Sequence, residues 1–475
     1  MTFENGLKAE MTPTDHAARM KFTYPGKDAS IVFDNVSNDG GLTLDPATSS
    51  FTGFSDVKSG LSTGATRLFV YGVFDAPVTA SGKLSGGGGE DVTGYLRFDA
   101  GRDRTVNLRL ATSLISIDQA KKNLAAEIPA SHSFARVEHR RRTPGTTCWA
   151  RSRSRAPPPD QLTTLYSSMY RLYLYPNSGF EKVDGKDKYA SPPFSPQVGS
   201  DTPTHTGAKI VDGKVYVNNG FWDTYRTTWP AYSLLTPSKA GEMVDGFVQQ
   251  YKDGGWISRW SSPPGYADLM TGTSSDVAFA DAYVKGVKFD AKAAYDAAVK
   301  NATVVPPSSG VGRKGMETSP PFKGYADTTT HEGMSWSMEG YVNDYGIAKM
   351  GEALYRKTHE QRYKDESEYF MNRARDYVEL FDDKAGFFQG KDAKGDWRLP
   401  SDLYDPRVWG YDYTETNGWG YAFTAPQDSR GPGQPVRRPG RPGEEAGHLL
   451  RHSGDRHPGV RRQLRRRHPR DDGGP

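Results

Sequence analysis

At 475 residues, 35% hydrophobic and 12% aromatic, the chain is long enough for two or three domains with their own cores. No run of about 18 apolar residues occurs, so no helical membrane span is expected. The single cysteine, Cys148, excludes an intrachain disulfide and a thiolate metal cluster. The formal charge of +4 hides an uneven distribution: residues 429–475 hold 12 Arg against 5 acids and residues 136–159 hold 7 Arg against 1 acid, which leaves the remainder acidic.

The opening MTFENGLKAEMTP has neither a basic n-region nor an apolar core, so it does not read as a signal peptide. It reads as the middle of a strand-rich domain. Residues 1–130 are predicted to be β. Val106, Leu108 and Leu110 alternate with Asn107 and Arg109, the period of a half-buried strand. TRLFVYGVFD over 66–75 is a more continuous apolar run, which fits a buried strand. Gly- and Asp-rich clusters over 38–41 and 86–91 punctuate these runs. Short strands joined by turns predict a β-sandwich, incomplete at its N-terminal end.

Residues 131–160 form a linker region, and beyond Asp160 the pattern turns helical. QLTTLYSSMYRLYL is the first helix candidate, followed by 239–251, 275–285 and 291–300. A further helix starts near Ser335, with Met338, Tyr341, Tyr345 and Ala348 on one face. The next carries Tyr363, Phe370, Ala374, Tyr377 and Phe381 as a second stripe. Helices of this kind, separated by long loops, predict part of an α/α toroid over 161–428, with functional loops gathered at one end. No phosphate-binding P-loop and no GxGxxG fingerprint occurs, and the glycines at 86–89 read as a plain turn.

The two arginine-rich stretches lack aliphatic and aromatic patterning. A basic patch ordinarily suggests nucleic acid. Here a shifted reading frame is the expected origin, because shifting the frame of plausible GC-rich codons by one base turns both stretches into ordinary protein-like text. Residues 141–158 permit QDAWDDLLGQVQVEGATP, which runs into the in-frame Asp160, and residues 444–474 permit a text containing YGGVIHEMTEA. The visible tail, 429–475, is expected to be disordered, having too little apolar surface to offset chain entropy.

Candidate chemistry lies in two aromatic loops. YTETNGWGY over 413–421 places Glu415 between Tyr413 and Trp419, and Asp428 follows. Indole faces stack on sugar rings. A carboxyl wedged among rings is desolvated and favours its protonated form, as a glycosidase acid requires. The competing reading is a structural carboxylate that caps a turn or pairs with Arg. In NNGFWDTYRTT over 218–228, Trp222 can face a sugar ring, Asp223 can bind hydroxyls and Arg226 can orient Asp223. The competing reading makes Asp223 a helix N-cap and Trp222 core. His331 and Glu332 precede the helix at Ser335 and form one weak metal-type pair. Glu339 and Asp344 read as buried partners of Tyr or Arg. Met270, Thr271, Gly272 and Asp276 read as a tight turn and helix cap, with a cleft-shaping role as the alternative.

The motifs, in order, resemble glycoside hydrolase family 92, the calcium-dependent exo-acting α-mannosidases. The segments that carry the resemblance are LKAEMTPTDHAARMKFTYP, LTTLYSSMYRLYLYPN, GFWDTYRTTWPAYSLLTP, DLMTGTSSDVAFADAYVKGVKFD, SWSMEGYVNDYGIAKM and YTETNGWGYAFTAPQD, which span residues 7–428. The resemblance implies an N-terminal β-sandwich followed by an (α/α)6 barrel, here partial. It implies hydrolysis of terminal α-mannosides, commonly α-1,2-linked, with inversion and with a calcium ion that engages the sugar. It makes Glu415 the general acid, and Trp222 and Asp223 holders of the terminal mannose; Arg226 and Trp419 are further substrate-binding candidates from the two aromatic loops themselves. Relatives with Gln in place of this Glu are associated with mannose phosphodiesters, so Glu415 implies ordinary mannosides. The family's general base and main calcium motif lie downstream of the loss of frame. The chain as written is therefore expected to be inactive, and the intact protein to be exported and to act on mannose-containing oligosaccharides or glycoproteins. A non-catalytic sugar binder is the alternative; nucleic acid and membrane are not expected partners.

Overall fold

Alternation of apolar and polar residues builds the first part of the chain. The computed structural model describes residues 1–34, 39–57, 67–84, 92–140, 158–191, 200–262, 265–316 and 324–428. Cys148, the glycines at 86–89, and both stretches argued to be out of frame lie outside these residues, apart from Pro158. The chain divides into two units: residues 1–269 with 288–293, and residues 270–287 with the remainder from 294.

In the first unit, β1 (Lys8–Pro13), β2 (Ala17–Thr23), β4 (Gly40–Asp45), β5 (Ser50–Ser55), β6 (Leu68–Phe74) and β9 (Thr105–Ser113) form an antiparallel sheet of order β1-β2-β9-β6-β5-β4. A second sheet of order β3-β8-β7 contains β3 (Asp28–Phe33), β7 (Val78–Lys83) and β8 (Gly94–Asp99). Phe51, Phe74, Val106 and Leu108 from the first sheet pack with Ala29, Leu96 and Phe98 from the second. This is the predicted sandwich, with the period-2 alternation of β9 sending Val106 and Leu108 into its core. The opposite face of the large sheet, through Ala17 and Ala111, packs on Leu124 and Ile128.

Leu124 belongs to α1 (Ile117–Glu127), so part of the stretch read as β is helical. Its start is fixed by Ser116, whose hydroxyl accepts the Gln119 N–H at 2.9 Å. His16, on the approach to β2, anchors the other end. Its ring nitrogens lie 2.7 Å from Glu127 Oε1 and 2.8 Å from the Phe180 carbonyl. Burial opposes its charge, but Glu127 and Asp15 raise its pKa to about 9.

Helix α2 (Pro159–Leu172) begins the predicted helical region, but residues 177–220 differ from expectation. They carry short hairpins, among them Glu181–Val183 paired with Lys186–Ser191. The physical reason is the two-residue turn Asp184-Gly185, with φ of 49° and 83°, a conformation that favours hairpins over helices. Helices α3 (Phe221–Thr224), α4 (Thr228–Leu235) and α5 (Pro237–Gly254) follow in this unit.

The second unit is organised on α8 (Gly333–Thr358), which is buried around most of its circumference. It packs on α6 (Ser275–Val284) and α9 (Gln361–Arg373). Helix α7 (Ala291–Thr303) contributes Tyr295, whose ring meets that of Tyr363 edge-on at 5.2 Å. Gly346 makes the α6–α8 approach possible, because a Cβ there would lie 2.7 Å from the Val277 Cα. The stripe predicted over 363–381 is only partly α-helical: Tyr377 sits in a 3₁₀ turn, Asp376–Leu380, and Phe381 in a short strand.

Candidate functional site

The NNGFWD loop is built by close backbone approach in the first unit. Asn219 and Gly220 pair with Ser261 and Trp260, and a Cβ at Gly220 would sit 2.6 Å from the Trp260 ring. Gly220 then precedes α3, so the N-cap is Gly220 and not Asp223. The residue that enters the core is Phe221, stacked on Trp229 at 5.7 Å and edge-on to Phe247 at 4.9 Å. The structural alternative for Asp223 and Trp222 is thereby corrected: the chain turns into the helix three residues earlier. Trp222 is half-buried, and its indole N–H is buried without a partner among the described residues. Asp223 and Arg226 are exposed, with the Arg226 guanidinium 4.7 Å above the Tyr225 ring.

Glu415 lies in the second unit, in a loop held from below. Ser335, in the first turn of α8, donates its hydroxyl to the Asp412 carbonyl at 2.8 Å and accepts the Thr414 N–H at 2.9 Å. The Ser335 N–H also reaches the Asp412 carbonyl, at 3.2 Å. Thr414 donates its hydroxyl to Glu332 Oε2 at 2.7 Å. Tyr413 points down and donates to the Phe388 carbonyl, which leaves its oxygen to accept from Tyr404. Burial, and after it the Tyr404 contact, push the Tyr413 phenol well above its ordinary range. The loop closes through the Gly410 N–H on the Thr416 carbonyl at 3.1 Å.

Within this frame Glu415 adopts φ 56°, a left-handed conformation uncommon for a residue with a Cβ. The turn sends its side chain outward. Glu415 is exposed, and its carboxylate has no hydrogen bond or ion pair among the described residues. The expectation of a carboxyl wedged and desolvated among rings is corrected: the rings of Tyr413 and Tyr421 turn into the core while Glu415 turns away from it. Trp419 follows in α10 (Gly418–Tyr421), where Asn417 caps the helix by accepting the Trp419 and Gly420 N–H groups at 3.1 and 3.3 Å. Its indole meets Phe387 edge-on at 4.8 Å.

The other acids near this loop are occupied. Asp412 is buried and 2.5 Å from Arg398 Nη1; burial raises its pKa, with Arg398 opposing. Glu332 accepts from Thr414. Asp428 accepts from the Tyr377 hydroxyl at 3.1 Å. His331 is 88% exposed and 4.0 Å from Glu332. Among the described residues no three His, Cys, Asp or Glu side chains converge as a metal site. A calcium ion takes six to eight oxygens from carboxylates, carbonyls and waters, so a carboxylate-rich calcium site is not formed among the described residues.

Deeper in this unit Asp344 is the partner of two arginines, with Arg373 Nε at 2.6 Å and Arg313 Nη2 at 2.7 Å. The Met270 and Gly272 turn has φ of 55° and 81°. Asp276 does not cap the helix that follows. It is buried in the first turn of α6, where it accepts from Thr273 at 2.6 Å and Asn301 at 2.8 Å.

Glu415 and Trp419 thus share one loop of the second unit, and Trp222, Asp223 and Arg226 share one short helix of the first. The supports of the Glu415 loop, Ser335 and Glu332 with Thr414, were missed as such from sequence. Ser335 is 79 residues from Thr414 and looked only like a helix start.

Residues 1–113 match the family model for the glycosyl hydrolase family 92 N-terminal domain, and residues 119–431 match that for the family 92 catalytic domain. A curated protein of Arthroderma benhamiae described as an uncharacterized secreted glycosidase is 24% identical, over 83% of this chain and 51% of its own length. The family GH92 inverting mannosidase of Bacteroides thetaiotaomicron is similar in structure, with a TM-score of 0.79 and 26% identity over 89% of this chain and 56% of that one. A second α-mannosidase of that organism, solved with mannoimidazole, shares the fold with a TM-score of 0.71 at 22% identity, over 89% of this chain and 55% of that one. The chain spans about half the length of these relatives.

Proposed function

The chain belongs to glycosyl hydrolase family 92, and from that premise we propose that Glu415 is the proton donor of an exo-α-mannosidase, borne on part of an (α/α)6 barrel. The observation that carries the reading is that Glu415 is unengaged, while Asp412 and Glu332, which support its loop, and Asp428, which follows it in sequence, are all bound. An acid that must give its proton to a substrate oxygen needs a carboxyl free to meet it. The sugar itself supplies the cover that the loop does not. The half-buried Trp222 and the exposed Asp223 are proposed to hold the terminal mannose. Arg226, on the same short helix, and Trp419, in the Glu415 loop, are proposed as further sugar-binding residues.

In the proposed reaction the glycosidic oxygen takes the Glu415 proton as its bond to the anomeric carbon breaks. In the same displacement water adds to the anomeric carbon from the opposite face, with inversion, and gives its proton to a general base. That step needs a second carboxylate, about 6.5–9.5 Å from the first in inverting enzymes. No residue of this chain is proposed for it. We therefore propose that the chain as written does not turn over, and that the intact family member does, on ordinary α-1,2-linked mannosides. Export of the intact protein is proposed from the secreted description of the A. benhamiae relative.

The test is release of mannose from α-1,2-mannobiose. The 475-residue chain is expected to show no release above that of its Glu415→Gln variant. With the downstream frame restored, hydrolysis should appear, and Glu415→Gln should lower it by about 10²–10⁴-fold. A dinitrophenyl α-mannoside, whose leaving group needs no protonation, should be spared most of that loss. Equal hydrolysis of mannobiose by the restored enzyme and its Gln variant removes Glu415 from the acid role; no hydrolysis by either removes the mannosidase reading. Affinity of the 475-residue chain for mannobiose without turnover favours a carbohydrate binder instead.

A further inference from the structure

We propose that Ser335 and Glu332 are positioning residues that hold Glu415 in its left-handed backbone conformation and so aim its carboxyl. The functional consequence rests on the proton-donor reading above; the conformational claim does not.

An exposed carboxylate without side-chain partners can be aimed only by its backbone. At Glu415 that backbone has φ 56°, which a residue with a Cβ adopts only when its surroundings impose it. The imposing contacts converge on the preceding residue. Thr414 is 3% exposed, its N–H is taken by the Ser335 hydroxyl at 2.9 Å, and its own hydroxyl is taken by Glu332 at 2.7 Å. The same Ser335 hydroxyl donates to the Asp412 carbonyl at 2.8 Å. One oxygen therefore spans residues 412 and 414 and fixes the chain direction that enters 415. Both clamps stand at the head of α8: Ser335 in its first turn and Glu332 at its N-cap, itself left-handed with φ 57°. On the far side the Thr416 carbonyl is tied to the Gly410 N–H. Glu415 is the one residue between these ties whose side chain is exposed, and with Tyr411 at φ 57° it is one of two left-handed residues with a Cβ in this loop.

A double-mutant cycle between positions 335 and 415 tests this in the full 475-residue chain. Glycine adopts the left-handed conformation at no steric cost, so Glu415→Gly should raise the melting temperature by about 2–4 °C. In the Ser335→Ala background that gain should fall below half, because the strain is no longer imposed; in the Ser335→Thr background, which keeps the hydroxyl, it should return. Hydrogen exchange at the Thr414 amide should accelerate at least tenfold in Ser335→Ala and stay slow in Ser335→Thr. If Ser335→Ala does not fold, Glu332→Gln, which keeps an acceptor, should retain the glycine gain and Glu332→Ala should lose it. An equal gain in every background, or a loss of stability on Glu415→Gly, overturns the proposal. Neither measurement depends on hydrolysis, so a failure of Glu415 as acid leaves the cycle intact and is read separately from it.

Discussion

Asp276 is a carboxylate whose burial outweighs its partners. Desolvation raises its pKa to about 7, while Arg313, Thr273 and Asn301 favour the charged form and Asp344 opposes it. The unfolded chain loses this proton near 3.8, the ordinary value for an aspartic acid side chain. Between about pH 4 and pH 7 the folded state therefore binds more protons, and stability falls as pH rises through that window. Asn at this position keeps an acceptor for the Asn301 amide, and Thr273 can turn its hydroxyl to Asn343 Oδ1, 3.3 Å away. Asp276→Asn should accordingly be near neutral at pH 4 and progressively more stable than wild type up to pH 8. The gain is bounded at about 4 kcal/mol by three pKa steps of about 1.4 kcal/mol each. Urea unfolding of both proteins at pH 4, 6 and 8 measures it; a difference that does not grow with pH places the titration elsewhere.

Elements in this chain meet where glycines let backbones approach. At Gly346 on α8 an added Cβ would also lie 3.0 Å from the Val277 Cβ, and backbone at 2.7 Å cannot swing aside as a flexible side chain can. Gly346→Val should therefore push α6 from α8 and cost on the order of 1–3 kcal/mol, read as a lower urea midpoint with the slope unchanged. Gly386→Ala, where nothing lies within 4 Å, is the control for added bulk, although its φ of 75° adds local strain. This also marks what the sequence could and could not reveal. The sandwich was legible because Val106 and Leu108 alternate with polar neighbours, and α8 because its apolar residues recur with helical spacing. The hairpins over 177–220 were not, since their strands of two to six residues are too short to show a period. The Glu415 loop was visible as composition, but its support was not. Ser335 reaches Thr414 across 79 residues, and no local pattern encodes such a bond. The outward turn of Glu415 was equally hidden, because aromatic neighbours in sequence need not be neighbours in space.

At the scale of the molecule, two observations converge on residue 431. The match to the family catalytic domain ends there, and from 429 onward the composition becomes arginine-rich with 12 Arg and no Lys. We propose that the text beyond this point is a shifted reading of a family 92 gene. The gene should then carry a one-base insertion or deletion near codon 431, and restoring the frame should yield a continuation that matches the family; an uninterrupted natural frame excludes this. The protein offers an independent check. A tail that belongs to no packed core contributes nothing to the folded state, so a chain ending at residue 431 should melt within about 1 °C of the full one, since even 1 kcal/mol moves a domain of this size by about 2–4 °C. A drop of several degrees would show that the arginine-rich segment packs on the units. The same pair separates a nucleic-acid function. Such binding would be lost on truncation and would weaken steeply with salt in the full chain, whereas a mistranslated tail predicts no sequence preference for any duplex.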